Sequence, residues 1–275
     1  MSRTLVMGIV NVTPDSFSDG GDHATVPAAV AHARRLLDEG VDILDIGGES
    51  TRPGAERPSL AEELRRVVPV VEELVAAGAV VSVDTMRAEV AQASMAAGAS
   101  IINDVSGGLA DDQMVPVVAR AGADFVCMHW RGFLGSGHTR ADYTNVVTEV
   151  LAELTERLDA CVAGGIAPEK LVSDIGFGFS KTAEQNWELL RHLDAFQALG
   201  YRQLVGVSRK RFLGELLDGR EPTGRDAATA AVTAICAQQG IWAVRTHSVQ
   251  DHRDVIAVVE RMASSSGVDS AGGNL

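Results

Sequence analysis

Short apolar runs alternate along the chain with longer amphipathic stretches. The runs span 5–11, 41–46, 79–84, 100–104, 123–129, 171–174, 203–208 and 241–247. Each is rich in Val, Ile or Leu with little alternation, which predicts strands buried on both faces of a parallel sheet. Helices are predicted between them at 27–39, 60–77, 87–97, 111–121, 142–163, 183–198, 225–239 and 249–262. In the second of these, Leu64, Val67, Val68, Val71, Leu74 and Val75 fall on one face. Gly40, Gly78, Gly98, Gly122, Gly165, Gly200 and Gly240 stand where helices should stop, each just ahead of a strand. Strand–helix pairs punctuated this way predict an α/β fold, a single-domain (β/α)8 TIM barrel over 1–262. An open doubly wound sheet also fits the periodicity alone. Residues 263–275 are Ser/Gly-rich and read as a disordered C-terminal tail.

The residues that end the runs carry the functional signal. They are Asn11, Asp45 to Glu49, Asp84, Asn103-Asp104, His129, Asp174, Ser208-Arg209-Lys210 and Arg245-Thr246-His247. In a barrel these ends meet at one face, the face that holds active sites. Polar strand ends also arise simply from contact with solvent. That bland reading does not explain why the ends are mostly amides and carboxylates, with cations on the last two alone. Two Gly- and hydroxyl-rich loops, 13–21 and 47–54, follow strands and are long enough to order over a ligand. Turn chemistry accounts for their Pro and Gly, but not for Phe17 or Arg52.

Charge narrows the choice of ligand. The 275 residues carry a net charge of −13, so a phosphate backbone would be repelled and general nucleic-acid binding is not expected. An anionic ligand needs a few local cations instead. The three cysteines, Cys127, Cys161 and Cys236, have no metal spacing and read as reduced, mostly buried thiols of a cytoplasmic protein. No stretch reads as a membrane span or a leader.

Asp84, Asn103 and Asp174 supply acceptors and one amide, a set suited to a flat heterocycle with amino and ring N–H groups. Lys210 can meet a ring carbonyl or nitrogen; between Arg209 and Arg211 it reads as cationic and solvated. Arg245 and His247 lie where barrels often hold phosphate. Asn11 can lend one oxygen to Mg²⁺ that bridges substrate phosphates. A metallohydrolase lacks its His-x-His pair, and no P-loop, G-x-S-x-G or dinucleotide fingerprint occurs. The residue types leave a glycosidase carboxylate pair open. His32, His192 and His252 lie in helical segments and read as surface residues. The G-x-G at 176–178 is by itself a weak signal.

The chain resembles the bacterial dihydropteroate synthases. The resemblance is carried by MGIVNVTPDSFSDGG at 7–21, DIGGESTRPG at 45–54, SVDT at 82–85, INDVSGG at 102–108, MH at 128–129, GVSRKRFLG at 206–214 and VRTH at 244–247. It implies a barrel that condenses 6-hydroxymethyl-7,8-dihydropterin diphosphate with 4-aminobenzoate, with Mg²⁺ as cofactor. By this resemblance Asp84, Asn103, Asp174 and Lys210 form the pterin pocket, and Asn11 holds Mg²⁺. Thr51, Arg245 and His247 contact diphosphate, and Arg52 joins the substrate-binding loop. Phe17, Pro53, Phe179 and Ser208 form the aminobenzoate side, where sulfonamides also bind. Asp84, Lys210 and Arg245 are the expected catalytic residues, and the family is commonly homodimeric. One departure is that Ile175 stands where the family has proline; the carboxylate and glycine remain, so a retained pocket with room for a shifted loop is expected. Two other readings remain, a pterin-dependent methyltransferase and a non-catalytic pterin-binding paralogue. The first has no need of the diphosphate cations Arg245 and His247.

Overall fold

The computed structural model describes residues 3–13, 26–49, 57–132 and 141–264. Strands β1 (Leu5–Asn11), β2 (Ile43–Gly47), β3 (Val81–Asp84), β4 (Ile101–Asp104), β5 (Asp124–Met128), β6 (Leu171–Asp174), β7 (Arg202–Val205) and β8 (Ala243–Thr246) run in sequence order around a closed barrel. Every pairing is parallel, and β1 closes the ring by pairing with both β2 and β8. The open-sheet alternative is thereby excluded. Helices α1 (Val26–Asp38), α2 (Leu60–Ala76), α3 (Ala88–Ala96), α4 (Met114–Ala121) and α5 (Val146–Ala163) cover the first five crossovers. The rest are covered by α6 (Ala183–Arg191), α7 (Leu193–Gln197), α8 (Arg211–Leu216), α9 (Asp226–Gln238) and α10 (Val249–Ser264).

Differences from the sequence reading have local causes. The 183–198 helix breaks at His192, which leaves helical geometry at φ −118° and ψ 31°. The short α8 was not foreseen, because six residues are too few to show a period. The final helix runs through Ala263 and Ser264, so the first two residues of the expected tail are helical. The seven stop glycines all take positive φ, from 65° to 104°, where a side chain would be strained.

Strand alternation divides each strand between two cores. One face packs under the helices, with Val6, Val10, Leu44, Ile46, Val83, Ile102, Phe125 and Cys127 fully buried there. The other face fills the barrel. Met7, Ile43, Ile101, Val126, Val172, Leu204 and Ala243 form an apolar layer inside it. Two residues further along the same strands come Ile9, Asp45, Asn103, Met128, Asp174, Gly206 and Arg245. The barrel interior thus changes from apolar floor to polar layer in one step of the pleat, and that layer faces the C-terminal mouth.

His252 is 1 % exposed, not a surface residue. Its two ring nitrogens meet Thr233 Oγ1 at 2.7 Å and Thr246 Oγ1 at 2.8 Å, tying α10 to α9 and to the end of β8. Burial pushes its pKa down to about 4. The unfolded chain takes the proton near the ordinary value of 6.5, so this contribution to stability is full above 6.5 and is lost as pH falls toward 4. The loss should reach about 3 kcal/mol, and urea unfolding from neutral to acid pH should be less steep in His252→Gln than in the parent chain.

Candidate active site

The strand register assembles the polar layer. Asp84 pairs with Gly47 on one side and with Asn103 on the other. Gly47 is without a side chain where room is needed: a Cβ there would lie 3.7 Å from Asn11 Oδ1 and 3.7 Å from Asp84 Cβ. Asn11 and Asp84 therefore flank a bare backbone. Across the mouth, Arg245 Nε donates to Asp45 Oδ2 at 2.6 Å and Nη2 to Asp84 Oδ2 at 2.8 Å. Asn103 Nδ2 donates to the same Asp45 oxygen at 3.1 Å. Four strands are tied by this network.

Asp45 is fully buried and is the network's hub, which the sequence reading placed at a strand end without giving it a role. The signal was available: Asp45 lies two residues beyond Ile43, on the same inward face as the apolar floor. Burial, moderated by Arg245 and reinforced by Asp45 and Asp104, pushes the Asp84 carboxyl up to about 7. Asp104 is also raised, to about 6, by burial. It accepts from Ser106 N, Ser106 Oγ and Gly108 N, so it shapes the β4–α4 loop instead of facing the mouth.

Asp174 lies opposite, with burial raising its pKa and Lys210 opposing the rise. Lys210 departs from the expectation of a solvated cation. Its Nζ donates to the Phe177 carbonyl and stands 4.7 Å from the centre of the Phe179 ring. Burial lowers its pKa to about 8, against the pull of Asp174. The flanking arginines point elsewhere. Arg209, at φ 58°, turns to Asp226 through two bonds of 2.7 and 2.8 Å, and Arg211 lies out in solvent on Glu215.

The turn after β6 closes without a proline. Gly176 N donates to Asp174 Oδ1 at 2.7 Å, and Gly178 N to Asn186 Oδ1 at 2.7 Å. Ile175 is fully buried in the outer core. Gly176 and Gly178 have φ of 72° and 76°; a Cβ on the first would sit 2.6 Å from the His129 carbonyl, and one on the second 2.8 Å from Lys210 Cδ. The G-x-G fragment is thus the form of a turn that lets Lys210 lie flat against it. Phe179 rests on an apolar patch of Met86, Val105 and Met128, beside Trp130.

On the far side, Ser208 Oγ accepts from His247 N at 3.2 Å and lies 2.9 Å from His247 Nδ1. A hydroxyl that accepts the amide proton can donate its own to Nδ1, which leaves Nε2 as the protonated nitrogen. The structure thus brings together Asn11, Asp84, Asn103, Asp174, Phe179, Ser208, Lys210, Arg245 and His247 at one end of the barrel. Phe17, Thr51, Arg52 and Pro53 lie outside the described residues. The described stumps of their second loop are anchored: Glu49 accepts from Arg57 Nε at 2.8 Å, Arg66 donates to the Gly48 carbonyl at 3.0 Å, and Arg87 donates to the Pro58 carbonyl at 2.6 Å.

A metal would have few protein ligands here. Among the described residues no group of three or more His, Cys, Asp or Glu side chains could hold one. Asn11, with its amide oxygen beside Asp84, suits a hard cation that keeps its waters and rides on a substrate phosphate.

Residues 7–247 match the family described as pterin binding enzymes. Among curated relatives, the dihydropteroate synthase of Mycobacterium leprae is 49% identical over 265 residues, covering 94% of this chain and 93% of the relative. A solved Xanthomonas albilineans dihydropteroate synthase with 4-aminobenzoic acid has a TM-score of 0.89 at 46% identity, covering 95% and 94% of the two chains. Another structure from that organism, in complex with 7,8-dihydropteroate, has a TM-score of 0.86 at 43% identity, with coverage of 95% and 94%.

Proposed function

Because the chain belongs to the dihydropteroate synthases of the pterin-binding enzyme family, we propose that its polar layer holds the pterin and its Phe179 patch the aminobenzoate. The chain is a transferase of folate biosynthesis. It joins 6-hydroxymethyl-7,8-dihydropterin diphosphate to 4-aminobenzoate and yields 7,8-dihydropteroate and diphosphate. The observation that carries the division of the site is the inward level of Asp84, Asn103 and Asp174, with Lys210 reaching in beside Asp174 from the loop after β7, next to an apolar patch under Phe179. A pterin needs acceptors for its amino and ring N–H groups and a donor for its carbonyl, and the layer supplies both. An aromatic amine needs a flat apolar wall.

In the reading we favour, the C–O bond breaks first and diphosphate leaves with the electron pair. The electron-rich ring spreads the resulting positive charge, and Asp84 and Asp174 stabilise it. The amine nitrogen then bonds to the methylene carbon and gives up its proton to water. A weakly basic amine attacking a cation needs no strong base, and no residue acts as nucleophile. His247 through Nε2–H and Arg245 meet the departing diphosphate, and the family resemblance adds Thr51 to them. Asn11 would hold Mg²⁺, which supplies neutralising charge to the diphosphate when bound. Phe17, Pro53 and Ser208 complete the aminobenzoate side, with Arg52 in the same loop.

The chain's three described cysteines are free and buried, which suits the cytoplasm. Among the described residues no helix is long and apolar enough to cross a membrane. The apolar side chains left exposed on α9 and α10, Ile235 and Val258, support a homodimer through that face.

The test follows diphosphate and condensed product together while Mg²⁺, pterin diphosphate and aminobenzoate are omitted in turn. Equal formation of both products, lost without Mg²⁺ or pterin diphosphate, is expected. Slow diphosphate release from pterin diphosphate alone is expected if cleavage precedes attack; strict dependence of that release on bound amine overturns the order. Pterin binding without turnover of any kind would identify a non-catalytic paralogue.

A further inference from the structure

The turn after β6 is read from two sides by two lysines, and the reaction as described uses only one. Lys210 takes the Phe177 carbonyl. Lys181 takes the carbonyls on either side of it, Gly176 O at 3.0 Å and Phe179 O at 3.1 Å. The third proton of its ammonium meets Nδ1 of His129 at 3.0 Å. All three donors of the ammonium are thereby satisfied. His129 accepts at Nδ1, so its Nε2–H donates to Glu153 Oε2 at 2.9 Å. Arg131 Nε in turn donates to that carboxylate at 3.0 Å. The chain of bonds runs from the turn to the end of β5 and on to α5.

We propose that Lys181 is a positioning residue of the condensation: it locks the Gly176–Phe179 turn onto β5, so that the Phe179 ring stands where the aminobenzoate must pack. The turn's own backbone bond, Phe179 N to Gly176 O at 3.1 Å, closes it without fixing it on β5. Gly176 O and Phe179 O point to Lys181 while Phe177 O points to Lys210, a pattern that the positive φ of Gly176 and Gly178 permits but does not enforce. Within the turn Asn186 holds the Gly178 amide alone, its Nδ2 donating to the Thr182 carbonyl instead. Without the Lys181 ammonium, the carbonyls of Gly176 and Phe179 lose a shared donor and the ring loses its fixed place. Asp174 keeps its position in the β6 ladder, because its carboxylate is set by the strand and by Gly176 N.

The proposal rests on the division of the site given above, and its test separates the two. In Lys181→Met, KM for aminobenzoate is expected to rise about ten-fold while KM for pterin diphosphate changes less than about three-fold. Lys181→Arg, which keeps the charge and the donors, is expected to recover at least half of that rise on a logarithmic scale. Equal rises in both KM values, or unchanged kinetics with only a lower melting temperature, would overturn the positioning role. A parent chain that turns over neither substrate would instead count against the functional reading. Should Lys181→Met fail to fold, nitrogen NMR of the parent chain decides: His129 must carry its proton on Nε2 with Nδ1 bare, and a proton on Nδ1 would rule out the Lys181 bond.

Discussion

Replacing Arg245 with methionine is expected to abolish measurable turnover and to lower folding stability by about 3–5 kcal/mol. The guanidinium is the sole cation bonded to both Asp45 and Asp84 among the described residues. Asp45 is fully buried and Asp84 nearly so, with a side-chain exposure of 11%. Removing one partner of a buried charge network leaves the others without compensation, which costs more than the network contributes as a whole. The folded chain would relieve the strain by binding a proton on a carboxyl of the pair. That proton is the functional damage, because a protonated Asp84 no longer accepts freely from a pterin. In the parent chain Asp84 already titrates near 7, held down from a higher value mainly by Arg245. Pterin affinity is therefore expected to fall as pH drops below about 7, and in Arg245→Met the same fall should begin at higher pH. Stability moves the opposite way. The Asp84 pKa is raised on folding, so its contribution is full below the ordinary 3.8 and is lost as pH rises through 7. Urea unfolding and pterin titration across this range check both; a variant with parental stability would refute the network as described.

Lys210→Met is expected to lower kcat/KM by about 10²–10³-fold, equivalent to roughly 3–4 kcal/mol of lost transition-state stabilisation. The side chain contributes twice. It offers the donor of the pterin pocket, and its charge is the main influence opposing the rise in the Asp174 pKa. With the amine gone, the largest influence opposing the rise in the Asp174 pKa is lost, and its carboxylate becomes a poorer acceptor. Folding should suffer less than in Arg245→Met, because Asp174 can be neutralised where it stands and still accept from Gly176 N. Arginine is not expected to replace this lysine, since the stem lies against Gly178 with no room for a Cβ between them. Steady-state kinetics with each substrate varied in turn would show it; activity within about ten-fold of the parent would remove Lys210 from the pterin pocket.

Much of the barrel was legible because its cause is local and repeated. Buried parallel strands read as unbroken apolar runs, and seven glycines announced helix ends by the one backbone conformation they adopt cheaply. The polar ends of the runs gave the active-site face. What sequence could not convey was direction. Lys210 looked solvated because Arg209 and Arg211 flank it, yet a left-handed residue at Arg209 sends three consecutive cations to three places. His252 looked like a helix-surface residue because its partners, Thr233 and Thr246, are on other elements. Asp45 gained its role from a contact across the barrel, at a separation that no motif spans, and Lys181 from a bond to the end of the neighbouring strand β5. What Ile175 does in place of proline was not legible either: the turn is held by Asp174, Asn186 and Lys181, and Ile175 fills the outer core.

The most direct test of the divided site is a crystal structure of the chain soaked with 7,8-dihydropteroate and magnesium diphosphate. The pterin ring is expected hydrogen-bonded to Asp84, Asn103, Asp174 and Lys210, the aminobenzoate ring against Phe179, and diphosphate near His247 with the metal on Asn11. A pterin ring bound outside the Asp84–Asp174 layer, or an aminobenzoate ring away from Phe179, would contradict that division.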